Sequence, residues 1–163
     1  MSDLSAFLGR HEIATADEME DLGTRIGALL EAGDVIVLTG PLGAGKTTFT
    51  RGLAEGLGVR GPVQSPTFVI ARTHPSLTGR APLVHVDAYR LGSSAELDDL
   101  DIDLVRSVVV IEWGRPMASA IADAWWDIEL ERPVGGGDLA DEELDADAPR
   151  VLTLTRAERP EQR

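Results

Sequence analysis

The sequence predicts a three-layer α/β fold with a mostly parallel central sheet, an amino-terminal helix and a carboxy-terminal antiparallel hairpin. Three observations lead to it. Short apolar, β-branched runs alternate with stretches at helical spacing, as a parallel sheet with crossover helices requires. A glycine-rich turn over residues 40–46 joins one such run directly to a helix. The last runs alternate residue by residue instead, which marks antiparallel strands with one face inward. At 163 residues and 43% hydrophobic, the chain suits a single domain over 1–163, able to cover a sheet on both faces.

The elements follow in order. Thr15-Ala16-Asp17-Glu18 has the form of a capping box, and Met19, Leu22, Ile26, Leu29 and Leu30 continue at helical spacing up to Gly33. Val35-Ile36-Val37-Leu38 reads as a buried strand, and residues 48–57 as a helix with Phe49, Leu53 and Leu57 four apart. Phe68-Val69-Ile70-Ala71, Leu83-Val84-His85-Val86-Asp87 and Val108-Val109-Val110-Ile111-Glu112 predict three further strands, with short helices over 94–100 and 116–123. Trp126-Asp127-Ile128-Glu129-Leu130-Glu131 alternates strictly and Val151-Leu152-Thr153-Leu154 in part, which predicts a long hairpin. Its tip, 134–149, is glycine-rich and acidic with little to pack, so a flexible loop is expected there, and a disordered tail over 156–163.

Gly40-Pro41-Leu42-Gly43-Ala44-Gly45-Lys46-Thr47 matches the phosphate-binding loop G-x-x-x-x-G-K-[ST], and Lys46 is the only lysine in a chain whose other cations are arginines. A compact ammonium on a thin stem fits inside a tightly curled loop where a forked guanidinium does not. The glycines let backbone N–H groups turn inward, and the following helix start favours an anion. Leu42, Gly43, Ala44, Gly45, Lys46, Thr47 and Thr48 are therefore the candidate phosphate cradle, with the Thr47 hydroxyl suited to magnesium. Open α/β sheets gather ligands beyond the carboxyl ends of their strands, where Asp87 and Glu112 stand. One of the two is expected to serve the metal and the other to position water; the four apolar residues before Glu112 favour it for the metal side, though Asp87 also ends an apolar strand. Thr67, in Ser65-Pro66-Thr67-Phe68, is either a phosphate sensor or part of a strand-initiating turn. Trp113 is a core residue or a nucleotide or partner contact.

Composition removes other classes. The net charge is −13, with the acidic excess mostly in the second half, so direct nucleic-acid binding is disfavoured outside a local patch of Arg51, Arg60 or Arg72. There is no cysteine, and His11, His74 and His85 are scattered, which argues against a thiol or histidine metal site. No apolar stretch reaches membrane-spanning length and the first residues lack signal-peptide character, so no membrane association and a cytoplasmic location are expected. A second lysine for a guanine-reading Asn-Lys-x-Asp motif is missing. A small-metabolite kinase would need an arginine-bearing lid, and the 134–149 segment has no arginine, leaving Arg90 and Arg115 as isolated candidates.

In content and order, Gly-Pro-Leu-Gly-Ala-Gly-Lys-Thr-Thr at 40–48, Ser-Pro-Thr-Phe at 65–68, His-Val-Asp-Ala-Tyr-Arg-Leu at 85–91 and Ile-Glu-Trp at 111–113 resemble the TsaE family, bacterial ATPases needed to make threonylcarbamoyladenosine in tRNA. The resemblance runs from Thr15 to Leu154. It implies a small P-loop NTPase-like fold binding ATP and Mg2+, with Lys46 on the phosphates, Thr47 on magnesium, and Asp87 and Glu112 serving metal and hydrolysis beside Trp113. Thr67 would belong to a switch-like segment. The implied partners are TsaD and TsaB, which ATP hydrolysis resets between turnovers; the chain alone would have little activity and would meet tRNA only through that complex. Pro41 and Ala88 depart from the family pattern, and neither is a proposed phosphate or metal ligand.

Overall fold

The computed structural model describes residues 2–41, 43–63, 70–91, 93–132 and 149–161, with the side chains of Arg90, Ser94 and Asp98 not included. Seven strands form one sheet: β1 (Gly9–Ile13), β2 (Val35–Thr39), β3 (Ala71–His74), β4 (Leu83–Asp87), β5 (Val108–Glu112), β6 (Ala124–Glu131) and β7 (Arg150–Glu158). Their spatial order is β1-β7-β6-β2-β5-β4-β3. The central four, β6-β2-β5-β4, run parallel, while β7 against β6, β1 against β7 and β3 against β4 are antiparallel. The expected parallel core, three-layer arrangement and carboxy-terminal hairpin are all present.

Helices α1 (Ala16–Gly27) and α2 (Lys46–Leu57) cover one face of the sheet, and the short α3 (Ser94–Asp98) and α4 (Ala118–Ile121) contribute to the other. Alternation divides each central strand between the layers. Ile36 and Leu38 of β2 and Val108 and Val110 of β5 meet Met19, Leu22 and Ile26 of α1 and Phe49, Leu53 and Leu57 of α2. Val35, Val37, Val109 and Ile111 face the opposite side with Leu97 and Ala118. Strands buried on both faces have no polar side to show, so these runs are continuously apolar.

Thr15 caps α1 by accepting from the Glu18 N–H, as the sequence predicts, while the Glu18 carboxylate accepts from the Ala14 N–H at 2.8 Å, one residue before the cap. The helix stops at Gly27 rather than continuing toward Gly33. Leu30 turns into the core while Leu29 stays exposed, and the Arg80 guanidinium takes the carbonyls of Ala28, Leu30 and Gly56, closing the ends of α1 and α2 together. The strand expected at 68–71 begins instead at Ala71, and Phe68 and Val69 lie outside the described residues. β3 is an edge strand held by its ladder to β4, so Arg72 and Thr73 need no apolar cover. β1 was not foreseen because Gly-Arg-His-Glu-Ile has only one buried residue to signal it. The tail expected over 156–163 is ordered further than that: β7 extends to Glu158, paired with Ala124, and Arg159 donates to the Ser119 carbonyl and pairs with Asp123. Residues 133–148, most of the expected flexible tip, are outside the described residues.

The two long helices touch through glycine on both sides. A methyl added to Gly23 or Gly27 of α1 would lie 2.4 or 2.2 Å from the carbonyl oxygen of Phe49 or Leu53. One added to Gly52 or Gly56 of α2 would lie 2.0 Å from that of Glu20 or Thr24. Backbone therefore packs on backbone, fixing the axial position of α2 and of the loop at its amino end. Gly52→Ala is expected to lower unfolding free energy by about 2 kcal/mol or more, because neither backbone can give way without losing helix hydrogen bonds. Chemical denaturation measures this, and an unchanged midpoint would show that the helices can separate freely.

Candidate phosphate-binding site

The glycine-rich turn runs from the end of β2 into α2. Gly45 is the residue before the helix and has φ +102°, a conformation that side-chain-bearing residues rarely adopt. Gly43 is also left-handed at φ +78°, and Ala44 is fully buried. Lys46, Thr47 and Thr48 are the first three residues of α2, so their unpaired N–H groups and the positive end of the helix dipole meet at the turn. Leu42 and Thr67 are outside the described residues.

Parallel pairing brings the rest of the site to this edge. Asp87 ends β4 directly beside Glu112, which ends β5, and Glu112 is also in register with Leu38 of β2. Alternation points Glu112, Asp87 and His85 to the sheet face that carries α2. Glu112 Oε1 lies 3.7 Å from the Lys46 ammonium, and Oε2 lies 2.7 Å from His85 Nε2. The carboxylate is 5% exposed and His85 is 0% exposed, so both interactions are sheltered from water. Burial pushes the Lys46 ammonium below the ordinary lysine range, against the opposing pull of Glu112 and Asp87.

Asp87 spends one oxygen on the following turn, accepting the Tyr89 N–H at 3.0 Å. The capping role and a place at the site thus coexist in one carboxylate. Thr47, Asp87 and Glu112 offer hard oxygen donors, the kind magnesium takes while keeping water and phosphate oxygens for its remaining positions. Among the described residues no group of three or more His, Cys, Asp or Glu forms a complete metal site.

Trp113 holds φ +61°, unusual for a bulky residue, and its N–H donates to the Leu38 carbonyl at 2.9 Å. This turn sets its ring under Lys46, with the ammonium 4.4 Å from the ring centroid. The ring is half-buried and also meets Tyr89, centroids 5.9 Å apart, while Tyr89 itself is 75% exposed. Trp113 thus lies beside Lys46 at the candidate site, between the buried sheet and the surface.

Two residues of the site were not read from sequence. His85 looked like one of three unrelated histidines; its spacing of two from Asp87 on an apolar strand was the available signal, since it puts both on one face. Arg150 sends Nε and Nη2 to the Gly43 carbonyl at 3.3 and 3.1 Å across 107 positions of chain, which no local pattern reports. Arg115, a candidate lid arginine, is instead bound to Asp127 at 2.8 and 3.0 Å and reaches Glu129 at 3.4 Å. The Arg90 side chain is outside what is described. Together the loop, the helix start and a sheltered Lys46 can hold a multiply charged anion, with carboxylates at hand for a cation or a water.

Known proteins share this chain's plan. A family described as "Threonylcarbamoyl adenosine biosynthesis protein TsaE" matches residues 13–136. A protein of Streptomyces coelicolor named tRNA threonylcarbamoyladenosine biosynthesis protein TsaE is 57% identical over 127 residues, covering 76% of this chain and 84% of the relative. Proteins of the same name from Mycobacterium tuberculosis strain H37Rv and Bacillus subtilis are 50% and 37% identical, covering 73% and 71% of this chain and 78% and 73% of the relatives. The crystal structure of Bacillus subtilis YdiB superposes with a TM-score of 0.66 at 28% identity, over 91% of this chain and 84% of that one. Since the match takes in the phosphate loop, Asp87, Glu112 and Trp113 in one continuous stretch, the chain belongs to the TsaE family.

Proposed function

We propose that this chain is an ATP-binding and ATP-hydrolysing accessory subunit for the formation of threonylcarbamoyladenosine in tRNA, acting on a TsaD–TsaB complex to permit repeated turnover. The observation that carries the reading is the Lys46–Glu112 contact at the mouth of a phosphate loop: the cation that would neutralise phosphates rests on the carboxylate that would act on water. The names of the relatives support the pathway.

In this reading backbone amides around Gly43 to Thr48 and the Lys46 ammonium would bind the phosphates, and the Thr47 hydroxyl and Asp87 would hold magnesium. Bound Mg–ATP supplies an electrophilic terminal phosphate and a metal that neutralises its charge. Glu112 orients the attacking water and accepts its proton. His85 holds the other carboxylate oxygen, which keeps Glu112 from rotating away. While Lys46 occupies Glu112 that carboxylate would be masked, and drawing Lys46 onto phosphate would release it; slow turnover alone and faster turnover with partners is what the family resemblance implies. Arg115, neutralised by Asp127 and Glu129, is not available as a transferring-phosphate clamp, which weighs against a metabolite kinase.

Hydrolysis by the purified chain, alone and with its own TsaD and TsaB, tests the whole reading: phosphate release should rise sharply with the partners, in step with repeated tRNA modification. Brisk transfer to a small metabolite, indifferent to partners, would replace it with a kinase. Lys46→Ala should abolish ATP binding in a calorimetric titration, because the backbone donors alone leave the phosphate charge poorly balanced; unchanged affinity would refute its role. Glu112→Gln should still bind ATP while turnover falls about 100-fold or more. If that variant sustains repeated modification, the chain is a nucleotide-gated binding module and hydrolysis is dispensable.

A further inference from the structure

Arg150 opens β7, pairs in register with Ile13 of β1, and is only 8% exposed. Burying a guanidinium is costly unless strong hydrogen bonds offset it. Here two arms of the fork, Nε and Nη2, converge on the Gly43 carbonyl oxygen, and Nη1 reaches the Pro149 carbonyl at 3.4 Å. The other end of the same peptide is also held, since the Ala44 N–H donates to the Pro41 carbonyl at 3.1 Å.

Without those bonds this peptide could reorient. Gly43 sits at φ +78°, and a glycine passes between backbone regions with little steric resistance. A flip of the Gly43–Ala44 plane would turn a carbonyl dipole toward the anion side of the loop, where it would repel phosphate. A charge-assisted hydrogen bond to that oxygen opposes the flip. The carboxy-terminal hairpin is thereby tied to the phosphate loop at one atom.

We propose that Arg150 is a positioning residue that holds the Gly43 carbonyl on the β7 side, so that this dipole does not turn toward an anion in the loop. This rests on the reading of the loop as an ATP site. The test titrates Mg–ADP into the wild-type chain, Arg150→Ala, Arg150→Lys and, as a control, Leu154→Val, which trims the core on the same strand away from the loop. All are measured at a temperature where circular dichroism shows them folded. Arg150→Ala should raise the Kd about tenfold, Arg150→Lys should recover only part of that loss because an ammonium cannot fork, and Leu154→Val should bind as wild type. In the partner-stimulated assay the KM for ATP should rise more than kcat falls. Wild-type affinity in Arg150→Ala, full recovery in Arg150→Lys, or an equal loss in Leu154→Val would each overturn the positioning role alone. A wild-type chain that does not bind Mg–ADP would overturn the nucleotide reading and this inference with it.

Discussion

The buried Glu112 carboxylate is the constraint around which the molecule is arranged. A carboxylate with 5% exposure must be compensated, and it is compensated from two elements at once, by Lys46 of α2 and His85 of β4. Each partner is itself largely out of water, so removing one leaves the others burying unbalanced polarity. Such a cluster is weak evidence for stability, because hydrophobic residues of the same volume would pack without the desolvation cost. Its retention points to use. If the loop takes phosphate as proposed, Lys46 becomes the object of a competition between an internal carboxylate and an incoming phosphate, with burial already weakening its hold on the proton.

That competition works only if the competitors are held at fixed spacing, and two different kinds of packing supply this. On the sheet side, parallel register sets Asp87 level with Glu112 and Glu112 level with Leu38, so three strand ends form one shelf. On the helix side, the interleaved glycines of α1 and α2 leave no side chain between the backbones to rotate or compress. α2 therefore cannot slide along its axis to relieve strain at its first turn. Trp113, held in a left-handed conformation of a kind that clusters at functional sites, closes the arrangement from the sheet side.

How much of this is visible in sequence depends on the range of the interaction. The phosphate loop is legible because its chemistry is contained in eight consecutive residues, and Asp87 and Glu112 are legible because polar residues ending apolar strands stand out against their own neighbours. His85 is hidden by the same logic: inside an apolar run it looks like a tolerated core histidine until the adjacent strand is known. β1 is hidden because its pairing to β7 depends on backbone, with little buried side-chain pattern to announce it. The helix–helix contact was present in the sequence as Gly23 and Gly27 on one helix and Gly52 and Gly56 on the other, each pair four apart and so on one face. A glycine inside a helix costs propensity, and two at that spacing on both helices indicate a backbone that must come close to another.

Charge shows the same division between long and short range. A chain of net charge −13 repels polyanions at a distance, yet beyond a Debye length of about 8 Å at physiological salt that repulsion is screened. What a small anion meets inside that length is Lys46, Arg150 and the start of α2. The arginines are used differently: Arg115 is matched by Asp127 and Glu129, whereas two arms of the Arg150 fork converge on the Gly43 carbonyl. Net charge and local geometry therefore act over different ranges: the acidic excess disfavours a polyanion as a whole, while the glycine-rich turn, Lys46 and the start of α2 gather donors within a few residues of one another.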